Sequence, residues 1–101
     1  MSTFAYLGCY TNNLQSGALT GIQFANIGNG QVTNTNCINY CAAAGYVLAG
    51  TEYGGQCFCG NAFAAASGAK LVADAMCTMV CEGDGTQICG DSVRLSVYKA
   101  K

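Results

Sequence analysis

Residues 33–60 read TNTNCINYCAAAGYVLAGTEYGGQCFCG, and the four cysteines in that stretch decide the architecture. Thr33 is a residue type that caps helices, because its hydroxyl accepts a backbone N–H from the open first turn. Residues 34–44 then read as a helix, and Gly45 stands where a left-handed residue closes one. Cys37 and Cys41 are four apart and share a helical face. Residues 46–53 follow as a strand, Gly54-Gly55 as a two-residue hairpin turn, and residues 56–60 as the returning strand. Period two places Cys57 and Cys59 on one face of that strand. Sulfurs ~5–6 Å apart along a helix and ~6–7 Å apart along a strand can be joined by two parallel bridges, or by the crossed pair. Each bridge closes a loop of about 20 residues and stabilises by roughly 3 kcal/mol.

The same turn assigns the faces of the hairpin. A two-residue Gly54-Gly55 turn pairs Tyr53 with Gln56, Glu52 with Cys57 and Thr51 with Phe58. The cysteine face looks at the helix, so Thr51, Tyr53, Gln56 and Phe58 share the face turned away from it. Open to solvent, and not covered by residues 11–36, that face presents aromatic rings beside an amide and a hydroxyl. A sugar has an apolar C–H face and a rim of hydroxyls, so these groups are its chemical complement. Asn61, just past the strand, adds an amide; Arg94 and Tyr98 on the last strand are further candidates, with Arg94 also able to pair with Asp84 or Asp91.

Outward from the hairpin, residues 4–10 and 93–99 alternate and read as the first and last strands. Residues 11–36 are rich in Asn, Gly, Thr and Gln; within them residues 19–27 read as a strand and 28–30 as a turn. Residues 62–75 read as a short helix or an ordered loop, 77–81 as one helical turn, and 82–85 and 91–92 as turns. Phe4, Tyr6, Phe24 and Phe63 are assigned to packing, and Tyr40 and Tyr46 to the core or its rim.

Composition narrows the function. The chain has 101 residues, 8 cysteines, no His, no Pro, no Trp and a net charge of −1, with 9% charged residues. The length fits a single domain, 1–101, with its core over about 6–98. The charge lacks the basic footprint that nucleic-acid binding requires. Without His there is no Ser/His or Cys/His pair, and the acids Glu52, Asp74, Glu82, Asp84 and Asp91 form no recognisable catalytic dyad, so no enzyme is expected. No cofactor or metal is expected either. A C-x-C on an extended strand splays badly around zinc, and the Asp residues are too few for calcium and suit Asx turns.

An even, dense cysteine set implies disulfides and an oxidising compartment, hence a secreted, extracellular or cell-wall protein. No signal peptide is recognisable at residues 1–9, which reads as a mature form or an excised domain. No apolar run reaches the ~20 residues of a membrane span, so no membrane insertion is expected, and no Asn-x-Ser/Thr sequon occurs.

Gly8-Cys9-Tyr10, Cys37-x3-Cys41, Glu52-Tyr53-Gly54-Gly55-Gln56-Cys57-Phe58-Cys59-Gly60-Asn61, Cys77-x3-Cys81-x-Gly83-Asp84, Cys89-Gly90 and Arg94-Leu95-Ser96-Val97-Tyr98 together resemble a WSC domain. That resemblance covers residues 6–98 and all eight cysteines in order. It implies a small α+β fold of the PAN/apple kind, a helix packed on a twisted antiparallel sheet. It also implies the pairing Cys9–Cys77, Cys37–Cys57, Cys41–Cys59 and Cys81–Cys89. The function implied is non-catalytic binding of neutral cell-wall polysaccharide of the β-glucan, chitin or xylan type. On this chain, Tyr53 and Phe58 would stack on the sugar while Gln56, Thr51 and Asn61 bond its hydroxyls. The alternatives are a self-associating adhesive surface module and a secreted lectin-like effector.

Overall fold

The computed structural model describes residues 3–12, 17–64 and 67–101. Residues 13–16 of the 11–36 segment and 65–66 of the 62–75 segment lie outside the described residues. Strand β1 (Phe4–Thr11) is followed by helix α1 (Asn34–Ala43) and the hairpin β2 (Leu48–Glu52) and β3 (Gln56–Gly60). After it come β4 (Leu71–Val72), a 3-10 turn (Asp74–Met76), β5 (Val80–Cys81), β6 (Asp84–Ile88) and β7 (Arg94–Ala100). One sheet has the order β3-β2-β7-β1-β4, every neighbour antiparallel; β5 and β6 form a separate ribbon.

Helix α1 forms as its ends dictate. Thr33 Oγ1 accepts the Asn36 N–H at 2.9 Å, and Gly45, at φ +89, donates its N–H back to Ala42 O. One flank of α1 is then bolted to the hairpin by the parallel bridges Cys37–Cys57 and Cys41–Cys59, with Cα separations of 5.6 and 5.3 Å. Cys9–Cys77 ties β1 to the segment after the 3-10 turn, and Cys81–Cys89 closes the ribbon. All four bridges implied by the WSC resemblance are present. The molecule is a small disulfide-rich domain with, among the described residues, one α-helix on an antiparallel sheet.

The hairpin register differs from the expected one. Glu52 faces Gln56, Thr51 faces Cys57 and Ala49 faces Cys59, so the loop is three residues, Tyr53-Gly54-Gly55. Tyr53 and Gly54 take left-handed φ, +56 and +76; a two-residue Gly54-Gly55 turn calls for it at Gly54 but not at Tyr53. One residue of slip moves Thr51 to the cysteine face and keeps Phe58 on the other. The register continues into β7, where Ser96 faces Thr51 and Tyr98 faces Ala49. The helix-side face therefore carries Cys57, Cys59, Ala49, Thr51, Ser96 and Tyr98. The opposite face carries Leu48, Gly50, Phe58, Leu95 and Val97.

That opposite face is covered by the chain itself. Residues 19–27 do not form the expected strand; Leu19 makes one isolated bridge to Phe63. The segment instead wraps the edge of β3. Cys59 donates to Ile22 O at 2.8 Å and Ala25 donates to Cys57 O at 2.7 Å, while Phe24 turns at φ +55. Ala18 and Leu19 pack on Leu48, Phe58, Leu95 and Val97, whereas Ile22, Ala25 and Ile27 pack on the disulfide cluster across the sheet. A strand stays on one side of an edge; this strap has to change sides. Residues 77–81 make no helical turn, their last two forming β5, and residues 84 and 85 of the expected 82–85 turn open β6. Tyr6 and Phe24, assigned to packing, are exposed, and the described residues place Phe4 and Phe63 half-buried.

Candidate functional site

The seven residues expected to bind sugar do not share a surface. Phe58 is 3% exposed and Thr51 1%: Phe58 lies beneath the strap, its ring centroid 5.0 Å from that of Phe24, and Thr51 donates to Asn34 Oδ1 at 2.7 Å. Neither reaches a ligand, because the strap roofs one and the hairpin slip turns the other toward the helix. Gln56 is half-buried, and Asn61 Oδ1 is occupied by the Val47 N–H at 3.1 Å. Tyr53 is 55% exposed at the hairpin tip. Arg94 donates to Met76 O at 3.3 Å and lends a minor attraction to Asp91. The Asp91 carboxyl is held below its ordinary range chiefly by the Thr78 hydroxyl, then by the Ser92 N–H. Asp84 is likewise lowered by the Thr86 hydroxyl and N–H, so both acids sit in hydrogen-bonded turns.

Tyr98 leads to the other side of the sheet. There a cleft of about 500 Å³ opens between the first turns of α1, the ribbon strand β6 and strands β1 and β7. Its walls carry Tyr6, Thr35, Asp74, Gln87, Ile88 and Tyr98, with Asn34 and Ser96 at the buried end. The Tyr6 and Tyr98 rings meet at 5.3 Å with a 58° tilt. The Tyr6 hydroxyl donates to Asp74 Oδ1 at 2.8 Å. Desolvation first, and then that bond and the Asp74 charge, push the Tyr6 phenol well above its ordinary range; burial does the same to Tyr98. Both therefore remain neutral hydroxyls. Gln87 Oε1 accepts the Asn34 N–H at 3.0 Å, which fixes its carboxamide at the helix start.

Each wall has a local cause. A bulge between Tyr6 and Gly8 shifts the β1 register, so Tyr6 faces Tyr98 and Cys9 faces Ser96, all on the helix side. Strict alternation sets Tyr6 and Cys9 on opposite faces, and the bulge is not legible in the sequence. The Cys9–Cys77 bridge then draws the 3-10 turn beneath β1, bringing Asp74 to Tyr6 from 68 residues away. Of the residues lining this cleft, the sequence singles out Tyr98 and not Tyr6, Asp74, Thr35 or Gln87, because their meeting depends on two non-adjacent strands becoming neighbours. The sulfurs of Cys37, Cys41 and Cys57 lie within 4.8 Å of one another, but each is in a disulfide and holds no thiolate for a metal.

An exposed Tyr6 ring against the half-buried Tyr98 ring, one carboxylate and neutral amides and hydroxyls suit binding of an uncharged polyol, and lack a nucleophile–base arrangement. The chain is similar over nearly its whole length to parts of several longer proteins. A WSC domain-containing protein of Arthroderma benhamiae is 40% identical over 97 residues, 96% of this chain and 10% of that protein. A putative fungistatic metabolite of Chaetomium globosum is 42% identical over 100 residues, 98% of this chain and 43% of that protein. Kremen protein 2 of Homo sapiens is 36% identical over 94 residues, 93% of this chain and 20% of its own length. The chain thus spans less than half the length of these relatives. The model of the WSC domain family matches residues 6–91, a span holding every cysteine of the four bridges, and the chain belongs to that family.

Proposed function

We propose that this chain is a non-catalytic carbohydrate-binding module for neutral cell-wall polysaccharide of the β-glucan, chitin or xylan type, acting outside the cell or in the wall. The observation that carries the reading is the cleft in which Tyr6 and Tyr98 stand beside Asp74, Thr35 and Gln87. Tyr98 and the exposed Tyr6 ring take the apolar face of a sugar; Asp74 accepts from its hydroxyls, and Thr35 and Gln87 bond them further. A cleft of this size lies in the ordinary range for small-ligand sites. The low charge suits a polymer that offers no ionic partner. We place the fold beside the PAN/apple modules, on the helix laid across a sheet in which the first and last strands are neighbours.

The test is co-sedimentation with insoluble β-glucan, chitin and xylan, followed by titration with the matching hexasaccharides. Tyr6→Ala and Tyr98→Ala are each expected to weaken binding about tenfold, or ~1.4 kcal/mol, the worth of one good aromatic contact. Tyr53→Ala, at the far hairpin tip, is expected to change nothing. Equal affinity of all four proteins would sink the cleft as the site.

A second reading rests on Tyr53 and Phe24. Both are exposed aromatics held at left-handed φ, a conformation bulky residues seldom keep without a use. In this reading they join copies of the module on a surface. Concentration-dependent mass in analytical ultracentrifugation, unchanged by added glycan and abolished by Tyr53→Ala, is the result it requires.

A further inference from the structure

Helix α1 has a second flank, facing away from the cleft. Thr35 and Ile38 line the cleft, whereas Asn36, Asn39 and Tyr40 line a shallower hollow of about 460 Å³ completed by Asn26, Ile27 and Gln31. Four carboxamides, one phenol and one aliphatic side chain make up its wall, with no carboxylate and no basic group among them. Folding accounts for some of these. Asn36 Nδ2 donates to Gln31 O at 2.7 Å, tying the helix to the segment before it, and Ile27 packs on the disulfide cluster. Asn39 has no such account. It lies exposed in mid-helix, where Asn is a poor helix former and a charged or alanine side chain stabilises better. The helix carries no acid in its first turn and no base in its last, so its outer flank is neutral throughout.

An uncharged, concave, amide-rich surface with an exposed ring repeats, on the other side of the same helix, the ring and neutral hydrogen-bonding groups proposed above for the cleft, without the cleft's carboxylate. We propose that this hollow is a second subsite for neutral glycan, which makes the module bivalent toward polysaccharide. The inference rests on the carbohydrate reading of the cleft. Tyr40 gives a sugar ring its apolar platform, and Asn26, Asn36 and Asn39 exchange hydrogen bonds with its hydroxyls. Two contacts separated by a helix of ~10 Å diameter convert the second binding event on a polymer into an intramolecular one, so affinity rises with chain length without any new kind of contact.

The experiment is a 15N-resolved titration of the oxidised full chain with hexasaccharides of β-1,3-glucan, chitin and xylan in turn, beside co-sedimentation with the parent polymers. Two groups of resonances are expected to move: Tyr6, Thr35 and the Gln87 side chain at the cleft, and the Asn26, Asn36 and Asn39 side-chain amides at the hollow. The double variant Asn39→Ala/Tyr40→Ala is expected to lose the second group, keep the first, and bind insoluble polymer at least tenfold more weakly. Alanine favours the helix at both positions, so folding is not at stake. Movement at the cleft alone, with polymer binding of the double variant unchanged, overturns the second subsite and leaves the cleft standing. Movement at neither place overturns the carbohydrate reading itself, and movement at the hollow alone removes the cleft from it.

Discussion

Asn34 is buried at the start of α1 and holds three elements together. Its backbone N–H donates to Gln87 Oε1, its Nδ2 donates to Ile88 O at 2.7 Å, and its Oδ1 accepts from Thr51 Oγ1 at 2.7 Å. Truncation leaves a buried hydroxyl and a backbone carbonyl unpartnered, each worth about 1–3 kcal/mol. Asn34→Ala is therefore expected to lower unfolding free energy by ~2–3 kcal/mol, read as a lower urea midpoint at unchanged slope; a loss below 1 kcal/mol means water replaces the clamp. Glu52 behaves in the opposite sense. It is 2% exposed, and desolvation pushes its carboxyl above the ordinary value of 4.5, against bonds from Asn12 and the Val93 N–H that pull it down. A folded pKa above the unfolded one means that this group's contribution is fully present below pH 4.5 and lost as pH rises through the raised value. Glu52→Gln keeps the acceptor and removes the buried charge. It is expected to raise stability at pH 7 by about 1 kcal/mol and to lose that advantage by pH 4, in paired denaturation curves.

At the scale of elements, the parts with local signals were legible in the sequence. Thr33 and Gly45 bracket α1 because capping is settled by the residue at the cap, and the cysteine spacing on helix and strand suits the bridges that form. Three features were not legible. The hairpin turn begins at Tyr53 because β2 must register with β7 as well as β3, and no local preference of Gly54-Gly55 reports on β7. Leu19 and Ile22 look like one strand, but they serve opposite faces of the sheet around the edge of β3. The bulge at Leu7 reverses the facing of Tyr6. Each is a tertiary demand overriding a period-two pattern, and together they moved the candidate site from the hairpin's far face to the cleft. Of the expected binding residues, Tyr98 alone lines that cleft, because β7 itself was read with the right alternation.

For the whole molecule, two bridges hold the helix, one closes the β5–β6 ribbon, and Cys9–Cys77 builds the cleft. Cys9–Cys77 spans 68 residues, so in the chain-entropy estimate its removal costs about 4 kcal/mol; Cys41–Cys59 spans 18 and costs about 3 kcal/mol. The two losses are close enough that stability alone does not separate them. Binding does. Without the first bridge nothing covalent keeps Asp74 under β1, and the Tyr6–Asp74 contact depends on a two-strand pairing of only Cys9 with Val72 and Tyr10 with Leu71. Without the second, the helix start with Thr35 is still held by Cys37–Cys57 and by Asn34. Cys9→Ala/Cys77→Ala is thus expected to lose about tenfold in hexasaccharide affinity at the Tyr6 and Thr35 resonances, at a temperature where circular dichroism shows it folded. Cys41→Ala/Cys59→Ala, under the same conditions, is expected to bind as the parent does. An equal fall in both variants would mean that affinity follows global stability and that the cleft has no geometry of its own to lose.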